Sequence, residues 1–164
     1  MACPQSRAED YYKIEMRGMR LVFQALILVG MLGVYGCTTN PEPLLFGKDA
    51  CYACKMTLVD NRFGAELVTR KGKVYKFDDL NCMLGFYHSG IEEPGDFLHR
   101  LVVNHEEPGE FINADEAYYL KSKAFRTPMA SEVAAFATYN RVMAFKSETG
   151  GIFLAWGEII TQFK

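Results

Sequence analysis

The stretch GAELVTRKGKVYKFDDLNCMLGFYH, residues 64–88, decides the fold. Residues 64–69 read as a strand, and Arg70-Lys71-Gly72 reads as a turn. Lys73-Val74-Tyr75-Lys76-Phe77 alternates polar and apolar side chains, the period of a half-buried strand, so the two segments predict a hairpin. Asp78 or Asp79 then caps a helix running to about His88, because Leu80, Met83, Leu84 and Tyr87 recur at helical spacing. Residues 92–95 break the chain, and residues 98–103 read as another strand. The element order is ββαβ.

The same order returns downstream. Residues 117–120 and 132–136 are strand-like, with a long connection over 121–130. Residues 139–147 are helical, Gly150-Gly151 ends that helix, and residues 152–156 read as a last strand. Sliding Phe77-Asp-Asp-Leu-Asn81 onto Phe136-Ala-Thr-Tyr-Asn140 superposes Phe on Phe and Asn on Asn. At the same offset Phe86 falls on Phe145 and Gly85 on Ala144. The fold expected is α+β, two related ββαβ units packed as one domain.

Composition describes an ordinary globular protein, 49% hydrophobic and 23% charged, with a net charge of −2. No basic stripe is present, so nucleic acid is not an expected partner. Residues 21–35, LVFQALILVGMLGVY, form an apolar run behind Arg17 and Arg20 and ahead of Gly36-Cys37. The run is shorter than the roughly 20 residues of a membrane span. Basic flank, short apolar run and small residue before a break are the parts of a secretory signal. The cysteine at the break makes it resemble a bacterial lipoprotein signal, with Cys37 expected to be lipidated and the domain anchored to a membrane on the cell-envelope or periplasmic side; the alternative is an uncleaved N-terminal anchor. Met19 begins a compact signal by itself, which would make residues 1–18 a mis-assigned start. The expected plan is a signal over 1–36, a polar, proline-bearing tether over 37–47 and a domain over 48–164.

Within that domain the thiols are Cys51, Cys54 and Cys82. After export, cysteines sit in an oxidising space, where they are normally paired or metal-bound. The stretch Cys51-Tyr-Ala-Cys54-Lys-Met56 admits four readings. A redox CxxC belongs at the end of a strand with its first cysteine at a helix N-terminus, and no such βαβ context surrounds Cys51. A zinc site needs four N or S ligands; His88, His99 and His105 are scattered, and none pairs at ligand spacing. A Cys51–Cys54 disulfide, or cysteines buried as small hydrophobes with Met56 and Met129 as filler, is the plainest reading. The fourth is copper(I), which thiolate and thioether suit without an accompanying base. Met129 joins that reading because Thr127-Pro-Met-Ala130 lies on an irregular connection able to aim a side chain at a ligand.

In order along the chain stand Cys54-Lys-Met56, Gly64-Ala65, Tyr75-Lys-Phe-Asp-Asp79, Pro128-Met129, Gly150-Gly151 and Trp156-Gly-Glu158. This order, behind a lipoprotein signal, resembles the NosL family over roughly residues 48–160. The resemblance implies a fold built from ββαβ units and an exported, lipid-anchored Cu(I) chaperone that is not an enzyme. It implies as partners the apoprotein of nitrous oxide reductase or another periplasmic copper carrier. Cys54 and Met56 occupy the family's Cys-x-Met element, and Met129 its later thioether, with Cys51 an additional thiol of unassigned role. The family usually has glycine between that cysteine and methionine. Lys55 stands there in this chain, which bears on the local backbone and adds a positive charge beside the site. Cys82 reads as a buried helix cysteine, and Asp78 and Asp79 as caps rather than copper ligands, carboxylates being poor partners for Cu(I). The residue-level rivals are a thiol–disulfide oxidoreductase using Cys51 and Cys54, and a structural lipoprotein with a disulfide.

Overall fold

The first hairpin forms where the alternation places it. In the computed structural model, which describes residues 39–162, β1 (Ala65–Thr69) pairs antiparallel with β2 (Val74–Phe77), from Ala65↔Phe77 to Val68↔Val74. On β2 the side chains of Tyr75 and Phe77 are buried while Val74 and Lys76 stay half exposed, the pattern of a strand with one face on the core. β1 is buried throughout because it is interior: β3 (Phe97–Val103) pairs with its other side, and β4 (Phe111–Asn113) pairs with β3. The sheet order is β2-β1-β3-β4. Between β2 and β3 lies α1 (Leu80–Tyr87), capped by Asp79, whose side chain accepts from the Asn81 N–H.

The second half repeats this plan. β5 (Tyr118–Lys121) pairs with β6 (Val133–Phe136) on one side and β7 (Ile152–Leu154) on the other, all antiparallel. α2 (Tyr139–Thr149) links β6 to β7. The order β6-β5-β7 reproduces β2-β1-β3: in each unit the first strand is central. The offset seen in sequence holds in space. The N-caps are Asp79 and Thr138, and the rings of Phe77 and Phe86 lie 5.5 Å apart where those of Phe136 and Phe145 lie 4.9 Å apart.

Two elements depart from the pattern. β4 is a three-residue edge strand, too short to show a period. Residues 152–156 do not form one strand: β7 ends at Leu154 and α3 (Trp156–Gln162) begins at Trp156. The Glu158 carboxylate accepts from the Ala155 N–H at 2.8 Å, and the Ala155 C=O accepts from Ile159 at 3.0 Å. This carboxylate half of a capping box starts the helix against the strand propensity of the run. Ile159 of that helix is fully buried.

The halves share a core. Tyr75, Phe77 and Val102 of the first sheet cluster with Tyr119, Ala135 and Leu154 of the second. Leu120, Ala134 and Phe136, on the opposite face of β5 and β6, pack with Val142 of α2. That is why β6 is buried at all four positions. The sheets are joined where Asn104 bridges Ala135 in parallel and the His105 N–H donates to the Ala135 C=O at 2.9 Å. Two glycines of the landmark series have steric causes. A Cβ on Gly64 (φ 137) would sit 2.8 Å from Leu44 Cδ1, and one on Gly151 (φ 108) would sit 2.4 Å from the Lys121 carbonyl oxygen.

The described residues belong to one compact unit. Residues 42–47, the end of the expected tether, lie against the sheet. Leu44 is buried in the core, the Gly47 N–H donates to the Leu58 C=O at 2.7 Å, and Lys76 Nζ donates to the Pro43 C=O at 3.1 Å. Among the described residues no helix is long and apolar enough to cross a membrane. The expected signal over 1–36 and the lipidation site Cys37 lie outside the described residues.

Candidate metal centre

Residues 49–58 fold into a closed loop. Ala50 bridges Thr57 in antiparallel fashion, the Leu58 N–H donates to the Asp49 C=O at 2.9 Å, and the Cys51 N–H donates to the Met56 C=O at 2.8 Å. The Lys55 N–H returns to the Cys51 C=O at 3.0 Å. This closure puts Lys55 at φ 67, a left-handed conformation that glycine adopts without strain. The backbone glycine would favour is thus retained with a lysine in place, and Lys55 Nζ lies 4.4 Å from the Tyr52 ring centre. The loop is docked on β2 by the Tyr52 N–H, which donates to the Lys76 C=O at 2.7 Å, and by the Tyr52 ring against Tyr75 and Phe86.

Docking brings Cys51 and Cys54 to the junction of β2 and α1. One ligand atom each from Cys51, Cys54, Asp78 and Cys82 lies within 4.8 Å of every other. All three cysteines are free thiols; Cys51 and Cys82 are buried and Cys54 is partly exposed. The Cys54 thiol donates to Asp78 Oδ2 at 3.4 Å. Asp78 is only 3% exposed, and its Oδ1 has no hydrogen-bond partner. A buried carboxylate oxygen without a partner is costly, and a cation among the thiols would remove that cost.

The thiols are not equivalent. The Cys82 thiol, hydrogen-bonded to Cys51, together with the backbone of Cys54 and Asp78, brings Cys51 down to about 6 against the opposing effect of burial. The same bond to Cys51 pushes Cys82 well up. Burial, followed by the bonds to Cys51 and Asp78, raises Cys54. Of the three thiols Cys51 is therefore the most readily deprotonated, and Cys54 and Cys82 are held towards their protonated forms. The ready nucleophile is the one that is fully buried, and the accessible thiol is the one kept protonated. That is the reverse of what attack on an external disulfide requires. Three sulfurs around a small volume, with one of them at the surface, suit a thiophilic ion that must be able to leave.

The other predicted residues are placed differently. Met56 stands on the rim of the loop, 48% exposed. Met129 packs, partly buried, against the core that contains Cys51 and Cys82. Its backbone is fastened to the start of α1: the N–H donates to Asp79 Oδ2 at 2.8 Å, and the C=O accepts from Asn81 Nδ2 at 3.0 Å. The histidines serve elsewhere. His88 Nε2 meets the Ile160 C=O at 2.7 Å, and His105 sits among Phe63, Phe125, Phe136 and Phe145. None joins the group of four.

Two members of the group, Cys82 and Asp78, read in the sequence alone as structural residues. Asp79 is the cap, as expected of one of the pair, which frees Asp78 to turn towards the cysteines. With Asp79 as N-cap, Cys82 is the third helical residue, on the turn that faces the preceding chain. The signal was the spacing Asp-Asp-x-x-Cys, together with an otherwise unexplained third thiol in the domain.

The NosL family model matches residues 45–163. Among solved structures the fold is similar to the crystal structure of the copper chaperone NosL from Shewanella denitrificans. The TM-score is 0.63 at 20% identity, covering 74% of this chain and 96% of that one. No curated protein matches the chain in sequence.

Proposed function

The chain belongs to the NosL family, and from that premise we propose that it is a copper(I) chaperone which carries the ion on its cysteine cluster. The observation that carries the reading is the convergence of Cys51, Cys54 and Cys82 with Asp78 within 4.8 Å. Thiolates suit Cu(I), and a site that has one sulfur at the surface can exchange its ion stepwise. Cys54 is the entry and exit ligand, Cys51 and Cys82 hold the ion inside, and Met56 and Met129 contribute thioethers from the outer side. A recipient's soft ligands displace Cys54 first and the inner thiolates last.

Cys37 carries the lipid that anchors the protein to a bacterial membrane on the envelope side. The recipient is the apoprotein of nitrous oxide reductase or another periplasmic copper carrier. Anaerobic Cu(I) titration of the reduced protein against a competing chelator tests the metal reading. Cys51→Ser, Cys54→Ser and Cys82→Ser should each weaken binding. Turnover of a disulfide substrate without Cu(I) uptake would instead favour a thiol–disulfide oxidoreductase. Absence of both would leave a structural lipoprotein.

A further inference from the structure

Met129 lies on the connection from β5 to β6. Two non-glycine residues of that connection, Ala130 (φ 55) and Glu132 (φ 58), occupy the left-handed region, where a Cβ is disfavoured. Left alone, such a segment relaxes; it keeps this shape only if its surroundings over-determine it. Part of that constraint is internal, since the Ala130 N–H donates to the Thr127 C=O at 3.2 Å and the Ser122 N–H to the Glu132 C=O at 2.8 Å; Asp79 supplies the part that ties Met129 to α1. Its Oδ1 accepts from the Asn81 N–H at 3.1 Å to cap α1, while its Oδ2 accepts from the Met129 N–H at 2.8 Å and the Ser131 N–H at 3.4 Å. Asn81 Nδ2 donates to the Met129 C=O at 3.0 Å. Thr127 Oγ1 holds the far end by accepting from the Glu132 N–H at 3.2 Å.

Both backbone polar groups of Met129 are therefore tied to the first turn of α1. That turn also carries Cys82 and follows directly on Asp78. A connection whose only task is to join two strands needs neither strain nor a clamp on one residue. Asp78 and Asp79 are adjacent but divided in role: Asp78 turns towards the thiols with an unpartnered oxygen, and Asp79 is 1% exposed with each oxygen bonded.

We infer that Asp79 and Asn81 are positioning residues that hold the Met129 thioether on the cysteine cluster as a further donor to the copper ion. The inference rests on the copper reading above. It assigns the clamp, rather than the strand ends, as what sets the place of Met129. The loop then moves with helix α1 and so stays in register with Cys82.

The test is a double-mutant cycle for Cu(I) affinity, measured anaerobically on the reduced full chain in detergent. Met129→Ala is combined with Asn81→Ala and, separately, with Asp79→Ser. Alanine suits a helix interior, and serine still caps α1 but is too short to reach Met129, so both backgrounds keep the fold. Met129→Ala should weaken binding about tenfold in the wild type and less than about threefold in either background. Amide exchange at Met129 and Ser131 should speed up in Asp79→Ser. An equal Met129→Ala loss in all three backgrounds overturns the inference, as does no loss in a wild type that binds Cu(I); the copper reading survives both. A wild type that takes up no Cu(I) overturns the copper reading and the inference together.

Discussion

The Cys54 thiol donates to Asp78 Oδ2 across 3.4 Å, linking the loop ahead of β1 to the turn behind β2. The bond ties the one partly exposed sulfur of the cluster to a buried carboxylate, and it stabilises the protonated form of Cys54. Asp78→Asn removes the negative acceptor and should lower the Cys54 thiol pKa. The pH profile of Cys54 alkylation, followed on its peptide by mass spectrometry, should move to lower pH. An unchanged profile would mean that burial and the bond to Cys51, without Asp78, raise the thiol.

Cys82 controls Cys51. Because the hydrogen bond from Cys82 is the largest contribution that brings Cys51 to about 6, Cys82→Ala should send it back up. In the metal-free, reduced protein an ultraviolet thiolate absorbance should rise near pH 6, and in Cys82→Ala it should be lost or shifted upward. Cys82→Ser, which keeps a donor, should retain much of it.

Lys55 occupies a left-handed backbone position at φ 67. Lys55→Gly relieves a strain of about 1–2 kcal/mol but loses the contact with Tyr52 and adds unfolded-state entropy. The net change should lie between neutral and about 1 kcal/mol stabilising. Lys55→Val, β-branched at the same φ, should destabilise by about 1–2 kcal/mol. Denaturant midpoints of the reduced protein decide it, and equal midpoints for the two variants would contradict the strain.

Glu66 is a fully buried carboxyl on the interior strand, bonded among the described residues to the Glu42 N–H at 3.0 Å, with Oε2 unpartnered there. Burial pushes it to about 7 from an ordinary value of 4.5. The folded chain thus keeps a proton that the unfolded chain releases. The stability it contributes is fully present below about pH 4.5 and is lost as pH rises through about 7. The loss is on the order of 3 kcal/mol. Glu66→Gln cannot ionise, so between pH 5 and 8 its stability should gain on that of the wild type as pH rises. A constant difference across that range would show that Glu66 is ionised throughout.

The hairpin 64–77, helix α1 and their recurrence as β5, β6 and α2 were legible because each rests on local periodicity and on caps a few residues apart. The internal repeat was legible through Phe77, Phe86, Phe136 and Phe145, which are large, identical and placed at equivalent core positions. α3 was not, because Ile152 to Trp156 has strand composition and its helix start depends on one side chain, Glu158, reaching back to Ala155. The packing of Leu44 was hidden for a related reason. Leu44-Leu45-Phe46 is too short an apolar run in a proline-bearing stretch to show a period, and Gly64 leaves the room that Leu44 fills.

By itself the sequence determined the two ββαβ units, the cysteines able to take part in soft-metal chemistry and the cap at the start of α1. Those are properties of spacing along the chain. Only the tertiary structure decided that Cys82 and Asp78 join Cys51 and Cys54, that Met56 stands on the rim, and that the backbone of Met129 is clamped to α1. Each of these depends on segments 24 to 50 residues apart being brought within hydrogen-bond reach. It was the docking of one loop on β2, and of another on the first turn of α1, that selected among the chemically possible partners.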